Sequence, residues 1–379
     1  MSAAEEATLA LLRLIRATEF QASTGQRLLT LFDDASSVCR GFSAREHGAV
    51  CGLATKTALT VQARLRSDAL RQQVDADIRW LSANGGHFIP LASTQYPKIL
   101  REIADPPLGL FCVGDLRLLA QPKLAVVGSR HPTQYGRAVA DRLAGEMAKL
   151  GLVITSGMAL GIDAVAHESG LRAKGTTIAV LGTGPDQVYP PQHERLYRQI
   201  RQQGLLVSEF PPGVQVASWH FPQRNRVVTG LSVGTLVVEA RLRSGSLISA
   251  RLAMEQGRDV FAVPGSVLSK LSEGCHQLLR DGAKLTAHWQ DIVDELPAGL
   301  LAPGDDQQSQ PSDLLLPPHL PLSQQRLLAT LDHEVQHADR LAERLGISPA
   351  ELLSNLVALE LLGLVKARAG GYCLVENWT

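Results

Sequence analysis

Lys123-Leu124-Ala125-Val126-Val127-Gly128-Ser129-Arg130 is the stretch whose reading decides the fold. Leu124 to Val127 is an apolar run without a polar break, which suits a strand buried on both faces of a parallel sheet. The run stops at Gly128-Ser129-Arg130, and Pro132 follows as a breaker. From Gln134 to Leu150 the apolar residues Val139, Leu143, Met147 and Leu150 recur at helical spacing. Strand, glycine turn and helix form the opening unit of a doubly wound α/β domain. At such a turn the first N–H groups of the helix lack partners and the dipole is positive. The turn is therefore expected to hold phosphate, with Arg130 adding a charge and a fork of donors. The alternative is a tight turn carrying a solvated arginine.

The alternation continues downstream. Strands are expected over 123–127, 152–155, 176–181, 205–208, 234–238 and 259–263, with helices over 134–150, 160–174, 192–203, 222–230 and 246–256. This order predicts a parallel sheet with right-handed crossovers, whose ligands sit outside the carboxyl ends of the strands. Small residues and backbone donors follow the strands at that edge. They include Gly128-Ser129-Arg130, Ser156-Gly157, Gly182-Thr183-Gly184, Ser208-Glu209, Ser244-Gly245-Ser246 and Pro264-Gly265-Ser266. Converging on one edge, they predict a binding surface. It is not a dinucleotide site, because Gly128 is followed by Ser, Arg, His, Pro and Thr rather than by G-x-G-x-x-G. No P-loop is present either. No cofactor is expected, whereas anion binding is.

Trp219-His220-Phe221-Pro222-Gln223-Arg224-Asn225-Arg226 is the most unusual stretch. A helix is expected to start just after Pro222, with Arg224, Asn225 and Arg226 in its first turn. Cations there oppose the dipole unless an anion joins them. Arginine beside aromatics suits single-stranded nucleic acid, with guanidinium on phosphate and rings under unpaired bases. The alternative makes Phe221 part of the core and one arginine a buried structural partner. Between residues 195 and 258, nine arginines stand against three glutamates, a local excess of six in a chain of zero net charge.

Catalysis has less support. Ser156, Asp163 and His167 offer a nucleophile set, but Asp163 and His167 are four residues apart on one helix, and a hydrogen bond bracing the loop is the simpler expectation. Glu209 and Glu239 offer an acid–base pair. Pairing with Arg224 or Arg226 is the preferred reading.

The chain has 379 residues, 45% hydrophobic and 20% charged, which fits a soluble globular protein. Its five cysteines show no CxxC spacing and no metal set, as suits a reducing cytosol. The start, Met-Ser-Ala-Ala-Glu-Glu, has the wrong charge for a signal peptide, and no apolar run nears the ~20 residues of a membrane helix. A cytoplasmic location without membrane contact is expected. Residues 1–81 read as a helical domain with a structural or interaction role. Residues 82–120 form a lead-in with one or two strands, 121–296 the main domain and 297–320 a Pro-, Gln- and Ser-rich linker. Residues 321–379 read as three helices and a hairpin, a winged-helix pattern. Its five basic residues against seven acidic ones argue for protein contact rather than duplex DNA.

Jointly, these motifs resemble the DprA/Smf DNA-processing family. They are Val126-Val127-Gly128-Ser129-Arg130, Ser156 to Asp163 with Ala166-His167, Tyr189-Pro190, Ser208-Glu209-Phe210-Pro211, Phe221 to Arg226, Ser244-Gly245-Ser246-Leu247 and Ala262-Val263-Pro264-Gly265. The likeness covers residues 88–296. It implies an extended Rossmann-like domain that binds single-stranded DNA and dimerises, flanked by a helical SAM-like N-terminal domain and a C-terminal winged helix. It also implies a non-enzymatic role, loading the RecA recombinase in natural transformation. The implied single-strand contacts are Gly128, Ser129, Arg130, Ser156, Gly157, Phe221, Arg224, Asn225, Arg226, Ser244, Gly245 and Ser246. Two departures stand out: Pro191 and Gln223 occupy positions that are basic in many relatives. Glu19-Phe20-Gln21-Ala22 replaces the Gly-x-Gly of a helix-hairpin-helix. The competing function is a Rossmann-class hydrolase of a nucleotide or nucleoside monophosphate.

Overall fold

Strands that are apolar on both faces need cover on both faces, and the computed structural model supplies it. Residues 3–174, 177–297, 299–301, 321–331, 335–362, 364–368 and 370–374 are described. The chain divides into two units, Met1–Pro303 and Gly304–Thr379. The strands of the first are β1 (Gly86–Pro90), β2 (Gly109–Gly114), β3 (Lys123–Gly128), β4 (Val153–Ser156), β5 (Thr177–Leu181), β6 (Leu205–Ser208), β7 (Gly234–Val238), β8 (Asp259–Ala262) and β9 (Lys284–Leu285). They form one nine-stranded sheet in the order β1-β2-β6-β5-β4-β3-β7-β8-β9. All neighbours from β6 to β9 are parallel. β2 runs antiparallel to β6, and β1 to β2, so the lead-in strands extend the main sheet.

The run Leu124–Val127 serves two cores. Leu124 and Val126 pack with Ala140, Leu143 and Met147. Ala125 and Val127 belong to the opposite cluster with Val227, Val228, Ala250 and Ala253. Neither face meets water, so no polar position interrupts the strand. The chain winds from β3 through β4 and β5 to β6, then returns to the other side of β3 as β7. That reversal opens a crevice beyond the carboxyl ends of β3 and β7.

Six helices precede the sheet: α1 (Ala3–Ala17), α2 (Ala22–Phe32), α3 (Ala35–Gly41), α4 (Ala44–His47), α5 (Thr55–Leu65) and α6 (Asp68–Ala83). They enclose Leu14, Leu28, Val38 and Val61. They also bond to the sheet loops: Arg16 holds both oxygens of Asp77 and donates to the Pro212 carbonyl at 2.9 Å. Glu19 and Phe20 adopt φ of 53° and 65°, where the family resemblance leads one to expect glycine. Such conformations cost a non-glycine residue on the order of 1–3 kcal/mol. Phe20 is held in place nonetheless. Its ring meets Phe210 edge-on at 5.8 Å, and its carbonyl accepts from Gln223 Nε2 at 2.7 Å.

The remaining helices of this unit are α7 (Lys98–Arg101), α8 (Gln134–Lys149), α9 (Ile162–Lys174), α10 (Glu194–Gln203), α11 (His220–Gly230), α12 (Gly245–Glu255), α13 (Glu273–Arg280) and α14 (Gln290–Val293). α8 and α9 cover one face of the sheet, α11 and α12 the other. α11 starts at His220, earlier than the expected start after Pro222. Proline is tolerated in the first turn because N–H groups there have no carbonyl partner. Arg224, Asn225 and Arg226 consequently fall in the second turn, not the first.

In the second unit α15 (Leu322–Thr330), α16 (Ala338–Leu345) and α17 (Pro349–Leu361) precede the hairpin of β10 (Val365–Arg368) and β11 (Gly371–Leu374). Ser348 caps α17 by accepting from the Glu351 N–H at 3.2 Å, and Gly346 ends α16 in the left-handed region. The expected linker, 297–320, lies outside the described residues except for 297 and 299–301. No helix among the described residues is long and apolar enough to cross a membrane.

The core under α9 holds the imidazole of His167. Thr177 Oγ1 donates its only proton to the Ile154 carbonyl at 2.7 Å, so it accepts from His167 Nδ1, also at 2.7 Å. His167 Nε2 is buried without a partner. Burial, aided by His193 and Arg224, pulls the His167 pKa down from 6.5 to about 3. The unfolded chain takes up this proton near 6.5 and the folded chain only near 3, so stability falls as pH drops through that window. The slope from this one group reaches ~1.4 kcal/mol per pH unit. Urea unfolding between about pH 7 and about pH 4 should show a shallower pH dependence for His167→Gln than for wild type; identical slopes would rule out a neutral buried ring.

Candidate nucleic-acid interface

The crevice beyond β3 and β7 has a volume of about 510 Å³. Gly128, Ser129 and Arg130 line one side, Arg241, Ser244, Gly245 and Ser246 another, and Phe221, Arg224 and Asn225 of α11 a third. Glycine is required where the walls meet. A Cβ on Gly128 would lie 1.9 Å from the Val238 carbonyl oxygen, and one on Gly161, whose φ is 81°, 2.3 Å from that of Ser129. Arg130 projects from this turn and is exposed. Among the described residues no carboxylate lies within ion-pair reach of it. Its guanidinium instead lies over the Phe221 ring at 5.9 Å.

The N-termini of α8 and α12 differ in how their donors are used. At α8 the Glu239 carboxylate accepts from the Thr133 N–H at 2.8 Å and from the Thr133 hydroxyl. Gly136 leaves room for it, since a Cβ there would lie 2.5 Å from the carboxyl carbon. Glu239 adopts φ of 53° to make this contact. The Thr133 donors at the start of α8 are thus taken by an internal anion, which the positive end of the dipole favours, while Arg130 of the preceding turn still borders the crevice. Thr133 is the N-cap of α8, its hydroxyl accepting from the Gly136 N–H at 3.0 Å, and Glu239 anchors that cap rather than pairing with an arginine. At α12 the N-cap Ser244 makes no side-chain cap bond, and the space beside Gly245 is open. Backbone donors are available there instead.

On α11 the arginines divide by direction. Arg224 is buried but reaches the crevice wall. Its Nη1 donates to the carbonyls of Gly157 and Val180, the latter at 2.7 Å, and its Nε to Asn225 Oδ1 at 3.2 Å. Burial lowers its pKa to about 10, opposed by nearby Asp163. Arg226 points inward and lines neither the crevice nor the small cavity beside it. Its Nη2 holds Glu209, whose other oxygen accepts from Gln223 at 3.0 Å. Asp105 lies 3.4 Å from Arg226 Nε. The expected phosphate contact of Arg226 is therefore replaced by a buried ion pair, the pairing preferred for Glu209. Burial pushes the Glu209 carboxyl upward against the pull of Arg226.

Ser156 is also directed inward, donating to the Val126 carbonyl at 2.6 Å to tie β4 to β3. Gly157 borders the small cavity, where Arg224 packs so closely that a Cβ would lie 2.3 Å from Nη1. Ser156, Asp163 and His167 do not form a nucleophile set. Asp163 Oδ2 accepts from the N–H groups of Gly157 at 3.1 Å and Ala159 at 3.2 Å, while His167 bonds Thr177. The loop is braced by Asp163 through the backbone, not through His167.

The local arginine excess also disperses. Of the nine, Arg224 and Arg241 line the crevice, while Arg198, Arg226 and Arg258 are in ion pairs. Tyr189, quoted above only as half of a motif, joins the site: its ring lies 5.5 Å from that of Phe221, and it borders the small cavity. Its place in a Tyr-Pro turn after a strand was the available signal. Among the described residues no group of three or more His, Cys, Asp or Glu side chains is placed to hold a metal ion.

A model of the family described as DNA recombination-mediator protein A matches residues 87–297, and one described as the DprA winged helix domain matches residues 311–371. The chain is 42% identical over 304 residues to Protein Smf of Escherichia coli (strain K12), covering 80% of this chain and 81% of that one. Its fold is similar to the X-ray structure of DNA processing protein A from Streptococcus pneumoniae, with TM-score 0.66 and 36% identity over 75% of this chain and 96% of that chain. It is also similar to DNA processing protein A from Helicobacter pylori, whose structure is described for its single-stranded DNA binding mode. There the TM-score is 0.51 and the identity 36%, over 55% of this chain and 94% of that one.

The buried Arg224 and the exposed Arg130 should separate in stability. Arg224→Ala removes a buried cation that holds two carbonyls, a loss on the order of 3 kcal/mol and several degrees in Tm. Arg130→Ala, exposed and free of acids, should stay within about 0.5 kcal/mol of wild type. Thermal unfolding of both variants checks this; equal losses would contradict the division.

Proposed function

The chain belongs to the DNA recombination-mediator protein A family, and from that premise we propose that it binds single-stranded DNA along the carboxyl edge of its sheet and loads the strand onto the RecA recombinase in the cytoplasm, without turning over a nucleotide. The observation that carries the reading is the pairing of an exposed, acid-free Arg130 with the Phe221 ring 5.9 Å away, beside the uncapped start of α12. Cation, ring and backbone donors in one place match the repeating phosphate and base of an unpaired strand. In this reading Gly128, Ser129, Arg130, Asn225, Ser244, Gly245 and Ser246 hold phosphates, and Phe221 stacks a base. Arg224 and Gly157 shape the wall, and Ser156 and Arg226 support it from inside.

The hydrolase reading has less support. Glu239 fills the anion position at α8, and Glu209 is engaged by Arg226 and Gln223. We assign a homodimer to the sheet-bearing unit, as the family resemblance implies. The winged-helix unit suits a protein partner. Its sequence has an acidic excess, and α17 exposes Leu353 and Val357.

Gel-shift and nucleotide-turnover assays on purified protein test the reading together. Tight single-strand binding, weaker duplex binding and no turnover are expected; turnover without single-strand binding would favour the hydrolase. Affinity should fall with salt at a log–log slope of roughly −0.7 per phosphate contacted. Arg130→Ala should weaken binding roughly ten- to a hundredfold. Arg130→Lys should recover part of this, because lysine keeps the charge and loses the fork. Deleting residues 304–379 should leave single-strand affinity within a few-fold; a loss of about a hundredfold would assign DNA contact to the winged-helix unit.

A further inference from the structure

Trp219, at the N-cap of α11, is 47% exposed, although an indole has much apolar surface to gain from burial. Its ring neighbours are Phe210 at 6.3 Å and 81°, and His220 at 4.1 Å and 74°. Both meet it at steep angles. No ring among the described residues lies parallel to the indole, so its stacking capacity is unused. The support beneath it is firm. Phe210 is fully buried and packs against Phe20 at 5.8 Å, and His220 Nδ1 bonds the Gly182 carbonyl at 3.0 Å.

Phe221 lies two residues further on and borders the crevice together with Arg130. Residues two apart on a helix point about 200° apart. Phe221 therefore faces the crevice, while Trp219 faces the end of β6, where Phe210 lies. A strand crossing the start of α11 meets one ring and then the other.

We propose that Trp219 is a second base-stacking platform, which carries the single strand past Phe221 toward the β6 end of the sheet edge. The proposal rests on the single-strand reading above. What Trp219 recognises is the π-face of an unpaired base. Every base has one, so the platform tolerates any sequence. It lengthens the bound segment without adding a phosphate contact.

Oligothymidylates of about 5 and about 15 nucleotides test it, the shorter covering only the crevice. Trp219→Ala should bind the longer strand about tenfold more weakly and the shorter within about twofold of wild type. Trp219→Phe should retain most of the longer strand's affinity. The chain has four tryptophans, so emission is read by difference. The longer strand should quench wild-type emission, and Trp219→Phe should lose that quenching. Unchanged affinity of Trp219→Ala for the longer strand, or quenching that survives in Trp219→Phe, would overturn the platform. Equal losses for both lengths with a lowered Tm would make Trp219 a structural residue and overturn it as well. If wild type binds neither oligonucleotide, the single-strand reading itself falls, and the platform with it.

Discussion

The Glu239 carboxylate at the start of α8 decides what kind of ligand the crevice can take. Thr133 donates to it twice, Gly136 makes way for it, and its own backbone enters the left-handed region to reach that place. In a doubly wound sheet that position is where a nucleotide phosphate usually finds unpaired N–H groups and a positive dipole. Here the fold uses that field internally. The donors left open at the crevice are the Arg130 guanidinium and the start of α12. The same sheet topology that serves nucleotide enzymes thus presents a surface strip of donors in place of an enclosed phosphate cradle.

The second constraint is the seating of α11. Arg224 ties it to the loop after β4 and to β5, and Arg226 ties it to Glu209 at the end of β6. Charges this deep are expensive to desolvate and are retained only with close partners. Their partners are indeed close, apart from Arg226 Nη1 and Asp105 Oδ1, which have none. The gain is geometric: α11 is pinned along both flanks, so the ring at its first turn is presented at a fixed height over the crevice.

Much of this could be read from residue order. The unbroken run Leu124–Val127 and the strand–helix alternation that follows it predict the sheet, its crevice and the Gly128-Ser129-Arg130 turn, because burial on both faces leaves a plain pattern. The direction in which a side chain points is a different matter. Arg224 and Arg226 share one stretch and one local charge excess with outward-facing arginines. Only the rotation of α11, set by its start at His220, sends Arg226 toward Glu209. Glu239 was equally hidden. Its partner Thr133 is more than a hundred residues away in the chain, and nothing local announces a cap anchored from another strand. Strand and helix types follow from neighbours in sequence, whereas the fate of a buried charge follows from neighbours in space.

The left-handed turn at Glu19 and Phe20 links the N-terminal helices to this arrangement. Phe20 touches α11 through Gln223 and touches Phe210 beneath it, so the position of one body is written into the position of the other. Thermodynamic linkage then applies in both directions. With the proposed strand bound at α11, a molecule that grips α1 or α2 and shifts that turn would change the strand's affinity by some factor, and the strand would change the grip on those helices by the same factor.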